Sequence, residues 1–305
     1  MYNRRSGFLM CLAAPFFAFL VQQGLSIMWM EIYMGYSLSH YDGGDYMEYM
    51  QKMSEGMMNA DALAIVSMIY AIICIVWFGV WYYRLKYNMP HDTVTGPAIV
   101  KDKAYEVMDK QRGLFEGYSW TIIPGLILLA LGGQVVCSFF MEFVGSLRPS
   151  WYEFYEELMK SMGMESDKLG VPIILYALIL GPVCEELTFR GLSYNYARRS
   201  LGFWATNIIT ALLFGLMHMN PLQGSMAALI GLVFGALYEK SRNIFVPMAL
   251  HILFNTAGLL GGQFVTLGDT PFKFFAILLV SLLVSYVGYE LVIRAIPQRI
   301  DIEIR

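Results

Sequence analysis

Charged residues are scarce in this chain: only 15% of its 305 residues are Asp, Glu, Lys or Arg, whereas 57% are hydrophobic. Soluble domains carry about 25% charged and roughly 45–50% apolar residues. The imbalance predicts an all-α fold, a polytopic membrane helix bundle that contacts membrane lipid. The sequence also lacks a basic block and a Gly-rich phosphate loop, so neither nucleic acid nor nucleotide is expected as a partner.

Cysteine is also scarce. The four cysteines lie in apolar runs and form no CxxC pair: Cys11, Cys74, Cys137 and Cys184. This distribution favours small buried side chains over disulfides or a thiolate metal site.

Long apolar runs, by contrast, are abundant. A spanning helix needs roughly 20 mostly apolar residues, and the sequence offers eight candidates, at about 7–30, 61–84, 119–144, 170–192, 203–219, 222–239, 244–261 and 272–293. The first follows a basic flank and is too long for a secretory signal, so we expect it to be retained. A bundle of seven helices, with one candidate merged or demoted, is the structural alternative.

The distribution of basic residues orients this bundle. With the N-terminus inside and eight alternating spans, all but five of the 21 Lys and Arg residues fall on the inner side, the exceptions being Lys52, Arg148, Lys160, Lys168 and Lys273. Positive charge collects in cytoplasmic loops, so both termini are predicted to be cytoplasmic, in a multi-pass protein of the cell membrane.

Three connecting segments carry less information. The two large outer segments, 31–60 and 145–169, are acidic and aromatic, and we expect solvated or interfacial loops, although "WYEFYEELMKSM" could form an amphipathic surface helix. The inner segment 85–118 is mixed in charge and is expected to be half helical.

Ionisable side chains inside spans are costly and mark functional sites by default. The candidates here are Glu185, Glu186, His218 and His251, together with the amide Asn255. If the helix that begins near 170 continues through "SYNYARRS" and turns at "SLG", the first glutamate and the first histidine lie about 25 Å from the turn, at nearly equal depth. The second histidine and the asparagine are four residues apart and share one helix face.

The two adjacent glutamates are expected to differ in role. Glu186 and Arg190 have the i, i+4 spacing of a helical ion pair, with the acid on the N-terminal side. Glu185 points about 100° away on the same helix and is the free carboxylate, suited to act as a general base. The set suits amide hydrolysis, in which Glu185 and His218 activate water while His251 and Asn255 stabilise the oxyanion.

Three motifs carry a resemblance to a known family. "EELTFR" matches EExxxR, "FGLMH" matches FxxxH at Phe214 and His218, and "HILFN" matches HxxxN. In this order, on predicted spans, they resemble the CPBP intramembrane proteases, which include type II CAAX prenyl endopeptidases and the Abi bacteriocin-processing proteins. The resemblance implies an eight-helix membrane endopeptidase with a cavity open to the cytoplasm and a peptide or membrane-protein substrate. It assigns site architecture to Glu186, Arg190 and Phe214, and the catalytic roles to the same four residues as above. We therefore expect one integral membrane domain, 1–305, with a catalytic core at 170–261.

Two alternatives stay open at this point. The first is a zinc-dependent metallopeptidase with Glu185, His218 and His251 as ligands; HExxH is missing and the histidines come from different helices, so no cofactor is the preferred expectation. The second is a membrane immunity or scaffold protein without proteolytic activity.

Overall fold

The fold is a bundle of helices. The computed structural model describes residues 4–87, 115, 117–161, 169–261 and 270–297, and within these ranges there is no β-strand. The helices are α1 Arg4–Ser39, α2 Tyr46–Met57, α3 Ala60–Tyr87, α4 Ile122–Leu147, α5 Pro149–Ser161, α6 Val171–Arg198, α7 Phe203–Leu216, α8 Pro221–Ser241, α9 Phe245–Gly261 and α10 Pro271–Ala295. This architecture confirms the predicted polytopic helix bundle.

Each of the eight predicted apolar segments is a helix in the structure. Six are long and apolar enough to cross a membrane, namely α1, α3, α4, α6, α8 and α10, whereas α7 and α9 are shorter apolar helices. The predicted bounds differ most at α1, which continues nine residues beyond Met30 to Ser39, and at α6, which continues six residues beyond Leu192 to Arg198. Helix α7 ends at Leu216 rather than 219. Which side of the membrane each end faces stays a prediction from the charge asymmetry.

The expectation of loops in the outer segments was wrong. Segment 31–60 contains the end of α1 and the whole of α2, because the Asp45 carboxylate accepts hydrogen bonds from the N–H groups of Met47 and Glu48 and so caps a new helix. Segment 145–169 contains the amphipathic helix α5, on which Trp151 and Phe154 are exposed. Most residues of the inner segment 85–118 lie outside the described ranges, so the expectation that half of this segment is helical stays a prediction.

Helix α6 is a single span with two wide turns. Its α-helical hydrogen bonding gives way to π-helical turns at Tyr176–Leu180 and again at Leu187–Tyr194. It continues through the polar stretch to Arg198, after which Gly202 takes an extended conformation and begins α7. The predicted turn at "SLG" is therefore present, and α7 runs back along α6.

Small residues allow close contact between α4 and α10. A Cβ atom on Gly288 would lie 2.4 Å from the backbone nitrogen of Leu129, and one on Gly132 would lie 2.7 Å from the carbonyl oxygen of Ser281. Such small-residue contacts let helix backbones approach closely inside a membrane. The pair forms one wall of the bundle, and α9 lies against α4.

An ionic cluster joins the end of α6 to the end of α8. Glu239 Oε1 accepts hydrogen bonds from Arg198 and lies 2.6 Å from Arg242 Nη2. Its second oxygen, Oε2, accepts the Tyr194 hydroxyl at 2.9 Å. The cluster fixes α6 against α8 beyond the second π turn, close to where the site residues are held.

Candidate active site

The three motifs converge from three parts of the fold. Glu185, Glu186 and Arg190 lie on α6, whereas His251 and Asn255 lie on α9. His218 lies two residues beyond the end of α7, in the turn that leads into α8.

Glu186 is the centre of a buried network. Its carboxylate is fully buried, and its Oε1 accepts hydrogen bonds from Arg190 Nη1 at 2.8 Å and from His251 Nδ1 at 2.9 Å. The ion pair spans one turn of α6, and the histidine contact reaches across to α9. Glu186 thus connects the two helices that carry the glutamates and the HxxxN motif.

Arg190 lies buried in the interior of the bundle. The guanidinium is 1% exposed, and its Nη2 donates to the Gly231 carbonyl on α8 at 3.1 Å. The guanidinium carbon lies 4.8 Å from the centroid of the Phe214 ring and 5.1 Å from that of Phe234. The guanidinium is therefore paired with a carboxylate and contacts two aromatic rings, and both kinds of contact are favourable for a cation.

Glu185 is the accessible carboxylate of the pair. Its side chain is 30% exposed, in contrast to that of Glu186, and its Oε2 lies 3.6 Å from His251 Nε2. That separation is too long for a hydrogen bond. Because Nδ1 of the same imidazole donates to Glu186, the His251 ring lies between the two carboxylates.

Within the cluster, the Arg190 guanidinium offsets the charge of the buried Glu186 carboxylate. Such pairing is expected inside a membrane bundle, where an uncompensated charge is costly.

His218 makes different contacts. Its Nδ1 donates to the Phe214 carbonyl at 2.9 Å, which leaves the lone pair on Nε2. The Phe214 ring meets both imidazoles edge to face, with centroids 5.0 Å from His218 and 5.8 Å from His251. In the described part of the chain, no hydrogen bond or ion pair joins His218 to Glu185. The reason is local: α7 ends early, and Met219 takes a left-handed conformation with φ of 54°.

Asn255 uses its amide on the backbone of α6. Its Nδ2 donates to the Ala177 carbonyl at 2.9 Å, within the first π turn. The sequence motifs indicated neither this acceptor nor Gly231 and Phe234, which hold Arg190. Each of these three lies in an apolar segment and contributes a carbonyl or a ring, features that no spacing of polar residues could reveal.

The zinc-ligand set Glu185, His218 and His251 stays a hypothesis from the sequence. Among the described residues, no group of three or more His, Cys, Asp or Glu side chains is arranged to hold a metal ion. His251 Nδ1 is committed to Glu186, and His218 does not approach Glu185. The arrangement instead suits proton transfer between a carboxylate and an imidazole.

Comparison with known proteins identifies the relatives of this segment. The chain is 25% identical over 131 residues to "Putative membrane peptidase YdiL" of Bacillus subtilis (strain 168), covering 43% of this chain and 54% of the relative. It is 30% identical over 86 residues to "Uncharacterized protein YpbD" of the same strain, covering 28% of this chain and 43% of the relative. It is 34% identical over 94 residues to "Uncharacterized 24.3 kDa protein" of Escherichia coli, covering 29% of this chain and 43% of the relative.

The chain thus spans about half the length of the curated relatives it matches. No solved structure matches it significantly. A family model described as "Type II CAAX prenyl endopeptidase Rce1-like" matches residues 167–257, the segment that holds all three motifs. The resemblance predicted from the motifs is therefore confirmed: residues 167–257 match the Rce1-like family of type II CAAX prenyl endopeptidases.

Proposed function

We propose that this membrane protein is an intramembrane endopeptidase that hydrolyses a peptide bond of a membrane-associated protein or peptide with water activated by Glu185. One observation supports this assignment most. Two adjacent glutamates occupy opposite environments: Glu186 is fully buried in an ion pair, and Glu185 is 30% exposed beside an imidazole. A rigid charged network that presents one accessible carboxylate is what a general base requires. Family membership supports a hydrolase, and the mechanism is our proposal.

The chemical steps follow from the hydrogen bonds already made. Glu185 takes one proton from water while Nε2 of His218, which carries a lone pair, accepts a hydrogen bond from the second. The water oxygen attacks the peptide carbonyl carbon. Protonated His251, whose Nδ1–H is bonded to Glu186, donates its Nε2–H to the oxygen that becomes negative. When the C–N bond breaks, the proton on Glu185 passes to the leaving amine. No step requires a metal ion or other cofactor.

We further propose that the partners of the chain are membrane lipid and a peptide or membrane-protein substrate. The protein resides in the cell membrane with its cavity open to the cytoplasm, because the basic residues of the α6–α7 and α8–α9 connections mark that side as cytoplasmic.

The test is replacement of the proposed base. The purified chain in lipid nanodiscs would be mixed with a quenched fluorogenic peptide ending in a prenylated CAAX sequence, and with the unprenylated peptide. Removal of a general base costs roughly 10²- to 10⁴-fold in rate, so Glu185→Gln should lose cleavage by about that factor. Glu290→Gln is the matched control, since this glutamate is also in a span and 34% exposed, on α10.

Substrates beyond these two peptides would be found by trapping. Membrane proteins that accumulate with Glu185→Gln would be identified by mass spectrometry against the wild type. Cleavage that is unchanged in Glu185→Gln would refute the peptidase mechanism and leave an immunity or scaffold role. Activity that disappears with a chelator and returns with zinc at one ion per chain would replace the water-activating glutamate by a metal site.

A further inference from the structure

The first π turn of α6 leaves one carbonyl without a backbone donor. The Gly181 N–H donates to the carbonyl of Tyr176, five residues earlier, rather than to that of Ala177. Continuation of the i to i+5 pattern would give Ala177 the N–H of residue 182. Residue 182 is proline, which has no N–H. The Ala177 carbonyl is therefore unpaired within its own helix.

A side chain from another helix fills this gap. Asn255 Nδ2, on α9, donates to the Ala177 carbonyl at 2.9 Å. A carbonyl without a donor at membrane depth is costly, since no water replaces the missing bond. A side chain at position 181 would crowd this turn, because a Cβ atom there would lie 3.0 Å from the Tyr176 carbonyl oxygen. The turn is held from both sides, by close backbone packing and by the asparagine.

In the second π turn, backbone carbonyls also accept hydrogen bonds from an asparagine amide. Asn195 Nδ2 donates to the carbonyls of Arg190 and Gly191, at 3.1 and 2.8 Å. A side-chain amide thus bonds to carbonyls of each wide turn in α6. The repetition supports a structural reading of the Asn255 contact, beyond the oxyanion role assigned to this residue by resemblance.

We propose that Asn255 is a positioning residue that supplies the N–H missing at Pro182 and so fixes the π turn that precedes Glu185. The proposal rests on the function proposed above for Glu185. Pro182 is buried three residues before Glu185, so a change in this turn moves the carboxylate relative to His251. Asn255 acts on the reaction through the backbone of α6.

The test is a double-mutant cycle between Asn255 and Pro182. Asn255→Ala removes the donor and should lower Tm in nanodiscs. It should also lower kcat by at least tenfold with KM little changed, because the substrate-binding surface is retained. Pro182→Ala restores a backbone N–H at the position that faces the Ala177 carbonyl. In that background, Asn255→Ala should lose less than half as much Tm and kcat as it does alone.

Two further variants separate a specific hydrogen bond from general damage. Asn255→Asp keeps the side-chain shape without the N–H donor of the amide, and should resemble Asn255→Ala. Asn207→Ala is the matched control, because this asparagine also donates from one helix to the backbone of another, to the Leu232 carbonyl at 3.0 Å. No proline interrupts that carbonyl's helix, so Pro182→Ala should leave the cost of Asn207→Ala unchanged.

The outcomes divide cleanly. If Pro182→Ala reduces neither the Tm loss nor the kcat loss of Asn255→Ala, the proposal is wrong. If it restores Tm but not kcat, the positioning role is overturned and Asn255 acts on the oxyanion instead. A wild-type chain without peptidase activity would overturn the proposed function alone, because the Tm arm of the cycle would still report on the hydrogen bond.

Discussion

Arg190→Ala should destabilise the protein far more than Glu185→Gln does. The substitution removes the guanidinium paired with Glu186, whose carboxylate is fully buried. Loss of one partner of a buried ion pair costs about 3–5 kcal/mol. It also removes the hydrogen bond to the Gly231 carbonyl and the contacts with two aromatic rings. At roughly 2–4 °C per kcal/mol, Tm in nanodiscs should fall on the order of 10 °C, whereas Glu185→Gln should change it by about 1–2 °C.

A double variant gives the prediction a second test. In a Glu186→Gln background no charged carboxylate is left without its partner, so Arg190→Ala should lower Tm less than it does in the wild type. Equal Tm for Arg190→Ala and Glu185→Gln at pH 7 would refute the division of roles between the two glutamates.

Three other groups of substitutions test separate parts of the fold and site. Gly288→Ala should lower Tm by several degrees because its Cβ would meet the α4 backbone, whereas Gly24→Ala, with nothing within 4 Å of the added atom, should not. Replacing either histidine by alanine should reduce cleavage at least tenfold. Of the two, only His251→Ala should also lower Tm, because His251 bonds to Glu186 and His218 does not. Equal Tm for the two variants would contradict the Glu186 network. Glu239→Ala should lower Tm, and the difference should shrink as salt is raised from 0.01 to about 1 M, because partly exposed ion pairs are screened; a salt-independent difference would argue against an ionic origin.

Much of the architecture was predictable because hydropathy and turn residues carry it. The eight apolar helices follow from long apolar runs, and the end of α6 follows from the polar "YARRS" and Gly202. The Glu186–Arg190 spacing also identified two side chains that the structure joins in one turn.

The sequence could not indicate the partner of Glu185. The depth estimate counted α-helical residues from the turn and matched Glu185 with His218. It could not foresee that α7 ends at Leu216 or that π turns alter the rise of α6, so it matched Glu185 with His218 rather than with His251 on α9. These features depend on packing among helices that are distant in the sequence.

The first π turn has a consequence for the rotational setting of α6. A wide turn accommodates one more residue than an α-helical turn, and one residue corresponds to about 100° of rotation. The half of α6 that begins at Gly181 is therefore rotated independently of the half that ends at Leu175. Glu185 and Glu186 differ by the same 100°, so this single extra residue determines which glutamate faces the buried arginine network and which faces outward. Deleting one residue from Tyr176–Leu180 would rotate one half of α6 by about 100° relative to the other. Either the first half would turn a different side toward lipid, or the two glutamates would exchange their environments.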